Sequence, residues 1–280
     1  AKVNIRGIRS VAGENQPLYV IDGVPMLNST SEQAFSAIGG TANAGNRDGG
    51  DGISNLNSED IESISILKGA PAAALYGNAA ASGVVLINTK KGTKDKTNIS
   101  VSSSTTFSTP TMLPKMQSKY GNKDGVFASW GDLVNSNYDP EKFFRTGVNT
   151  INSVSLSTGT SKNQTYVSVS ATNSNGILPN NKYERYNVSG RNTASFLNDK
   201  LVLDFGANLI FQNDRNMTAQ GRYFNPLTAL YLFPRGENFD AIRMYERYNE
   251  GLGIYEQYWP YETQSMELQN PYWTMNRIVR

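Results

Sequence analysis

Alternation of polar and apolar residues with a period of two dominates the chain between residues 99 and 211. Successive side chains of a β-strand point to opposite faces, so each alternating segment predicts a strand with one apolar face and one face of Ser, Thr and Asn. Each segment is about as long as a tilted strand that crosses a bilayer. The apolar positions are Ile99, Val101 and Phe107, then Val154 and Leu156, then Val167 and Val169, then Tyr186 and Val188, and finally Leu201, Leu203, Phe205, Leu209 and Phe211.

The connections between these segments alternate in length. Gly159–Asn163 and Leu197–Lys200 are short, whereas Ser108–Asn149, Ser174–Lys182 and Asp214–Asn270 are longer. Outer-membrane barrels have short periplasmic turns and longer outer loops. We therefore predict an antiparallel transmembrane β-barrel whose short turns face the periplasm. A soluble antiparallel sheet with one wet face is the alternative, because alternation alone also fits it.

The composition excludes several classes of site. The chain has no Cys and no His, which removes disulfides, thiol and histidine catalysis and nearly every zinc site. The net charge of +2 gives no reason to expect a nucleic-acid partner. The uncharged run Gly69–Thr89 contains Pro71 and Gly77, so it does not predict a spanning helix, and Ala1–Arg9 does not read as a signal peptide. No cofactor is expected.

The first part of the chain predicts a small α+β unit. Leu18–Ile21 is a short apolar strand that ends at the turn pair Asp22-Gly23, and Val84–Ile87 is a second compact strand. Pro71–Tyr76 is an Ala-rich helix that stops at Gly77. The charged run Lys90–Lys96 indicates a domain boundary. We therefore expect one domain over residues 1–93 and the strands of a second domain over residues 94–280.

Three segments of the first unit resemble the plug domain of TonB-dependent outer-membrane transporters. They are Ile5-Arg6-Gly7, the segment PLYVIDGVP at 17–25, and the stretch IESISILKGAPAAALYGNAAASGVVLINTKKG at 61–92. The segment DPEKFFRTG at 139–147 and Asn270-Pro271-Tyr272-Trp273 are similar to the SusC/RagA branch in particular. The order and register of these matches make the resemblance more specific than any single short motif.

The resemblance implies a fold, a location and a set of partners. The fold is a membrane all-β protein, with an antiparallel transmembrane β-barrel and a small α+β plug in its lumen. The implied location is the outer membrane of a Gram-negative bacterium. The implied partners are outer-membrane lipid, TonB, a SusD-like surface lipoprotein that closes as a lid, and an oligosaccharide or peptide ligand. The implied function is active nutrient import, not catalysis. The plug-motif residues carried over are Arg6, Asp22, Gly23, Lys68, Gly69, Tyr76, Gly77 and Gly83.

The strand count falls short of a transporter barrel. Closing about 22 strands of roughly 10 residues needs about 220 residues before any loop, and fewer than that follow Thr93. We expect five strands and the start of a sixth at Tyr272–Arg280, about six in all. We therefore expect the chain to be part of a longer polypeptide and to lack the first part of the plug itself.

Ligand-binding candidates lie in two loops. The Gly-rich loop with Arg47, Asp48 and Asp51 is expected at the plug apex, although its ligand order does not fit a calcium loop. The long loop Asp214–Asn270 is rich in aromatic residues, which stack on sugar rings but also pack protein interfaces. Packing is expected for most of them, and Tyr223, Tyr258 and Trp259 are the ligand candidates.

Two alternative functions follow from the same residues. A siderophore or cobalamin receptor of the same superfamily would work without a lid. A soluble glycan-binding or glycan-cleaving β protein would need no plug, and Glu246, Glu250 and Glu256 are carboxylates that it could pair for hydrolysis. No supporting motif surrounds those carboxylates, so an enzyme is not expected.

Overall fold

The computed structural model describes residues 5, 16–26, 53, 56–123, 129–217, 224–259 and 267–278. These residues form two main β-sheets and a cap of loops and short helices. Across these ranges, no helix combines the length and the apolar character that a membrane crossing requires.

A small four-stranded sheet is built from the first part of the chain. Its strands are β1 (Leu18–Ile21), β2 (Val24–Met26), β3 (Ile61–Leu67) and β4 (Val84–Thr89), in the order β2-β1-β4-β3. Strand β1 runs parallel to β4, and the other two pairings are antiparallel. Asp22 and Gly23 form the turn between β1 and β2 with φ of 50° and 85°, the positive values that an Asp-Gly hairpin turn requires. The predicted strands and turn are confirmed.

Helix α1 (Ala70–Tyr76) packs on one face of this sheet. Ala72 of the helix lies in a buried cluster with Val20 and Val84 of the sheet. The helix has Pro in its first turn and ends at Gly77, whose N–H donates to the Ala73 carbonyl. A second buried cluster, which includes Tyr19 and Ile87, covers the other face. The two clusters give this unit the mixed α+β character expected from the sequence.

The second sheet contains five long antiparallel strands. They are β5 (Asn98–Ser108), β6 (Gly147–Gly159), β7 (Asn163–Asn175), β8 (Lys182–Phe196) and β9 (Leu201–Arg215), and each pairs with the next along the chain. All five predicted strands are present, each somewhat longer than the alternation indicated. Strands β5 and β9 are the edges, so the described strands do not close a barrel.

The register gives this sheet one apolar and one polar face. One ladder row reads Val101, Val154, Val169, Val188 and Leu209 across the five strands. The next row, on the opposite face, reads Ser100, Ser155, Ser168, Ser189 and Asn208. The apolar face is open, with Val101 73 % and Phe205 71 % exposed, whereas Ser168 and Ser170 of the polar face are each 3 % exposed. The small sheet covers part of the polar face.

The long connections fold together at one end of the sheet, in a unit we call the cap. It contains helix α2 (Pro226–Leu232), the hairpin of β10 (Glu246–Asn249) and β11 (Ile254–Gln257), and helix α3 (Pro271–Arg277). Its core draws buried residues from separate connections. They are Phe143, Leu178, Ala229, Leu230, Phe233, Phe239, Ile242, Trp259 and Met275. The short turns lie at the other end of the sheet.

The sixth strand predicted from Tyr272 onward is wrong. Residues Pro271–Arg277 form helix α3 instead. Asn270 caps this helix, because its side-chain oxygen accepts from the N–H groups of Tyr272 and Trp273, and Pro271 occupies the first turn. The buried Asn270 also donates from Nδ2 to the carbonyls of Ile242 and Tyr258, which fixes the start of the helix inside the cap. The described part of the large sheet therefore has five strands.

Candidate functional site

The interface between the small sheet and the polar face of the large sheet is the candidate site. The chain passes directly from β4 to β5 through residues 90–97, so this short linker joins the two sheets. Gly92 of the linker lies against the adjoining ends of β6 and β7: a Cβ built on Gly92 would lie 2.2 Å from the Thr165 nitrogen and 2.7 Å from the Thr158 oxygen. A side chain does not fit there, and the close approach anchors the linker at the short-turn end of the sheet.

Arg191 of β8 connects the two sheets. Its Nη1 donates to Asp22 Oδ1 at 2.7 Å and to Thr89 Oγ1 at 2.8 Å, both in the small sheet. Its Nε and Nη2 donate to the two carboxylate oxygens of Asp204 on β9, at 2.9 and 2.7 Å. Lys91 Nζ lies 3.6 Å from the same Asp204 carboxylate. A guanidinium and a carboxylate joined by two parallel hydrogen bonds, as Arg191 and Asp204 are, form a stronger and more directional contact than a single ion pair. We call these five residues the Arg191 network.

Asp22 is held as a carboxylate within this network. Burial alone would raise its pKa, but the side-chain and backbone hydrogen bonds from Thr89 and the bond and charge of Arg191 outweigh it, so the pKa lies below the ordinary value of 3.8. The Thr89 N–H and hydroxyl donate to the Asp22 carboxylate at 2.9 and 2.6 Å. Asp22 is therefore charged at neutral pH, as the pairing with Arg191 requires.

A second contact lies on the neighbouring strand. The Tyr166 hydroxyl of β7 donates to Asp60 Oδ1 at 2.9 Å, and both residues are buried. Asp60 closes the 3₁₀ turn Ser58–Asp60, which is capped by the Asn57 side chain. The carbonyl of Asp60 accepts from the Lys90 N–H at 2.8 Å, so the turn is also fixed to the end of β4. Two neighbouring strands of the large sheet, β7 and β8, therefore hold the small sheet.

A cavity of about 550 Å³ separates the two sheets beside these contacts. Its charged lining residues are Asp22, Asp60, Lys90, Arg191 and Asp204. The small sheet adds apolar side chains from β1 and β2, and β8 and β9 add small polar residues such as Ser189 and Asn208. The exposed lining is more apolar than polar, but charged groups from both sheets face the cavity, which has room for several water molecules. The Arg191 and Tyr166 contacts between the sheets are therefore hydrogen bonds and ion pairs beside a cavity of mixed lining.

The plug-motif residues carried over from the sequence fall into two groups. Gly69 and Gly77, with φ of 70° and 63°, bound helix α1, and Gly83 has a φ of 99° before β4. Tyr76 packs beside the helix cluster, and Lys68 is exposed. Asp22, with its turn partner Gly23, is the member of this set placed in the Arg191 network. Arg6 lies outside the described residues.

The ligand candidates are placed in part. Tyr258 is half-buried in the cap, with the Arg247 guanidinium carbon 3.8 Å from its ring centroid. Trp259 is 6 % exposed and packs in the cap core, with its ring centroid 6.3 Å from that of Phe233. The structure therefore gives Trp259 a packing role in place of the ligand contact expected from the sequence. Arg47, Asp48, Asp51 and Tyr223 lie outside the described residues.

Sequence reasoning missed most of the interface. It treated Asp22-Gly23 as a plain turn and did not single out Asp60, Tyr166, Arg191 or Asp204. One signal was available for the last two. Arg191 and Asp204 are oppositely charged residues at polar-face positions of two adjacent predicted strands. Opposite charges on adjacent strands at such positions indicate an ion pair.

Comparison with known proteins identifies the family to which the two sheets belong. Residues 1–84 match the family described as the TonB-dependent Receptor Plug Domain. The TonB-dependent receptor SusC of Bacteroides thetaiotaomicron is 35% identical over 233 residues, which are 78% of this chain and 21% of that protein. The TonB-dependent receptor P26 of Formosa agariphila is 31% identical over 231 residues, 76% of this chain and 21% of that protein. The chain thus spans about a fifth of the length of these curated relatives.

Solved structures show the same fold. The RagAB peptide importer in its closed-closed state superposes with a TM-score of 0.61 over 96% of this chain and 32% of that chain, at 18% identity. The open-open state gives a TM-score of 0.55 over 80% of this chain and 27% of that chain, at 22% identity. At these identities the likeness establishes the arrangement of plug and barrel strands. Together with the sequence relatives, it shows that the chain belongs to the TonB-dependent receptors, in their SusC/RagA-like branch.

Proposed function

We propose that this chain is the plug and the first part of the barrel wall of an outer-membrane importer. Residues 1–93 form the plug, and residues 94–280 supply the first wall strands with their outer loops. The importer takes up an oligosaccharide or a peptide, and it is not an enzyme. TonB, energised from the inner membrane, displaces the plug. The observation that carries this proposal is that the small sheet lies on the polar face of the large sheet, whose other face is apolar and exposed. We call the large sheet the wall and this contact the plug seat.

The two faces of the wall fit a bilayer on one side and a water-filled lumen on the other. The strands contain 11 to 15 residues, enough for the 9 to 11 that a tilted strand uses to span the hydrocarbon. The row from Val101 to Leu209 presents apolar side chains on all five strands, which suits contact with lipid. The serine row on the opposite face suits the lumen. We therefore place the protein in the outer membrane of a Gram-negative bacterium.

The plug seat fits a gate that moves. Its contacts are hydrogen bonds and ion pairs, and the apolar side chains that line the cavity beside them are already accessible there, so separation exposes little further apolar surface. The seat lies toward the short-turn end of the sheet, where Arg191 is five residues from the end of β8 and Tyr166 three residues from the start of β7. We assign this end to the periplasm, the side from which TonB pulls.

The cap fits the outer, ligand-capturing side. Its segments are fastened to one another: the Tyr138 hydroxyl donates to the Leu230 carbonyl at 3.1 Å, and buried Arg235 donates to the Gln117 carbonyl at 3.0 Å. We propose that a SusD-like lipoprotein closes over this end. Ligand contact by Arg47, Asp48, Asp51, Tyr223 and Tyr258 belongs to this proposal. The peptide importer among the structural relatives supports a large ligand but does not choose between peptide and oligosaccharide.

Deletion of the plug tests the proposal. The full-length protein that carries this chain is compared with a variant lacking residues 1–92, both reconstituted into planar lipid bilayers. The intact protein is expected to be nearly silent and the deletion variant to assemble and conduct ions as a large pore. Equal conductance of the two proteins, or a deletion variant that remains in the aqueous fraction without detergent, would overturn the importer assignment.

Cysteine labelling in intact cells tests the sidedness. Single cysteines at Ser129 and Gln257 are expected to react with a membrane-impermeant reagent, whereas those at Ser161 and Asn198 are expected to stay unlabelled until the outer membrane is opened. The reverse pattern would invert the assignment of the cap. Copurification of a surface lipoprotein would favour the lidded branch over a siderophore or cobalamin receptor.

A further inference from the structure

We propose that Asp204 is a positioning residue for the plug: it fixes the Arg191 guanidinium on the wall as a preformed receptor for Asp22, so that the plug can leave and return while each half keeps its own hydrogen bonds. The proposal rests on the proposed function, because it concerns how a movable plug is reseated. It assigns the Arg191 network a role in reclosure in addition to attachment.

The nitrogens of Arg191 divide the network into a wall half and a plug half. Nε and Nη2 bind the two oxygens of Asp204, and Thr193 Oγ1 donates to the same carboxylate at 3.2 Å. Nη1 makes the contacts to the plug, which are Asp22 Oδ1, Thr89 Oγ1 and, at 3.2 Å, the Thr89 carbonyl. The planar guanidinium has a fixed fork geometry, so binding of two nitrogens by Asp204 aims the third.

The plug half is also complete without the wall. Asp22 accepts from the Thr89 N–H and hydroxyl, which belong to the same sheet and travel with it. Thr89 lies at the end of β4 beside the end of β1, where Ile21 pairs with Ile87. The carboxylate is therefore already oriented before it meets Arg191.

Separation consequently leaves neither charged group without hydrogen bonds. Breaking a buried ion pair normally leaves an uncompensated charge, which is strongly unfavourable. Here Arg191 keeps Asp204, Asp22 keeps its two Thr89 donors, and the adjoining cavity gives water access to both. Lys91 loses its 3.6 Å approach to Asp204 if the linker moves, but the side chains of that pair are 48% and 35% exposed, so the loss is small.

The second anchor lacks this arrangement. Asp60 accepts the Tyr166 hydroxyl through Oδ1, and for its other oxygen, Oδ2, the described part of the chain supplies no hydrogen-bond partner. The described part of the plug therefore offers Oδ2 of Asp60 no donor that would stay with it when the plug leaves Tyr166. The contrast identifies the Arg191 network as the contact built for repeated parting.

Single-channel recording on the full-length protein tests the proposal. Asp204→Asn is expected to raise the fraction of time in leak openings by about ten- to a hundredfold, the range that corresponds to one lost hydrogen bond to a charged group. Asp22→Asn and Arg191→Lys are expected to do the same, since an ammonium cannot hold the Asp204 fork and reach Asp22 together. Lys94→Gln, at an exposed lysine of the same linker outside the Arg191 network, is the matched control and is expected to stay silent.

The mutational cycle separates positioning from a direct or merely structural effect. In an Arg191→Met background, Asp204→Asn is expected to add no further leak, because Asp204 acts through Arg191. Folding of each variant is checked by the heat-dependent gel shift of the barrel. An undiminished Asp204 effect without Arg191, a leak reproduced by Lys94→Gln, or an Asp204→Asn protein that stays as silent as the parent would overturn the proposal. The plug deletion is recorded alongside: if it fails to conduct, the importer assignment itself fails.

Discussion

An arginine placed in the middle of the apolar face should impair barrel folding much more than one placed on the polar face. Val169 is the seventh of the 13 residues of β7, and its row neighbours are Val154 and Val188, so a guanidinium there meets apolar side chains on both sides. The Val169 side chain is 52% exposed on the open face. Ser100 is the matched control: it is exposed on the polar face, one residue from Val101, which lies in the same apolar row as Val169.

The expected difference follows from the depth of Val169. An Arg at the lipid face near the bilayer midplane costs about 2–4 kcal/mol, which is roughly a 30- to 900-fold change in the folding equilibrium. Ser100→Arg leaves its charge in a wet lumen and should change that equilibrium little. The assay is folding of the full-length protein into lipid vesicles across a urea series, read as the heat-dependent gel shift. Equal losses for Val169→Arg and Ser100→Arg, or a larger loss for Ser100→Arg, would refute the assignment of the two faces.

Three further predictions concern the plug seat. Ser168 is on the polar face but only 3% exposed beneath the plug, so Ser168→Arg should allow barrel assembly yet displace the plug, giving a leak in planar bilayers; a silent Ser168→Arg protein would contradict the seating. Gly92→Val should cost about 1–3 kcal/mol by overpacking against the β6–β7 turn, measured as a lower thermal midpoint of the plug, with exposed Lys94→Val as the control expected to change little. Because the folded pKa of Asp22 is lowered, its contribution to plug retention is complete above the ordinary value of 3.8 and is lost as pH falls through the lower folded value. The leak should therefore be flat from neutral pH down to the ordinary value of 3.8 and rise as the pH falls from there through the lower folded value, and Asp22→Asn should abolish this Asp22-dependent step.

In the cap, a local helix-start signal and the expectation of a further barrel strand predicted different structures for the same residues. The strand predicted from Tyr272 onward depended on continuing the barrel, whereas Asn270-Pro271 is a local helix-start signal. The helix forms because the Asn270 side chain satisfies the first N–H groups and is itself held by the Ile242 and Tyr258 carbonyls. Trp259 gave no local sign of its burial, since the partners that cover it, such as Phe233 and Met275, come from other parts of the cap.

The sequence alone determined the five strands of the large sheet, their faces and the short turns that join β6 to β7 and β8 to β9. A period of two fixes which side chains share a face, and a slip of one residue would move a whole strand's apolar set to the wrong side, so the pattern excludes odd slips in the register from Val101 to Leu209. The turn at Asp22-Gly23 and the ends of helix α1 follow equally from local backbone preferences. These features depend on residues that are close together in the sequence, so the sequence is enough to predict them.

The tertiary structure alone decided which residues form the plug seat. Asp22 and Arg191 are 169 positions apart, and Asp60 and Tyr166 are 106 apart. Within its own segment, each is an ordinary residue of a turn or of a strand. Their meeting depends on how the small sheet is placed on the large one, which the linker at Gly92 and the packing of whole sheets determine. Hydrogen bonds act over about 3 Å, so no local pattern can report a partner that the fold brings in from another sheet.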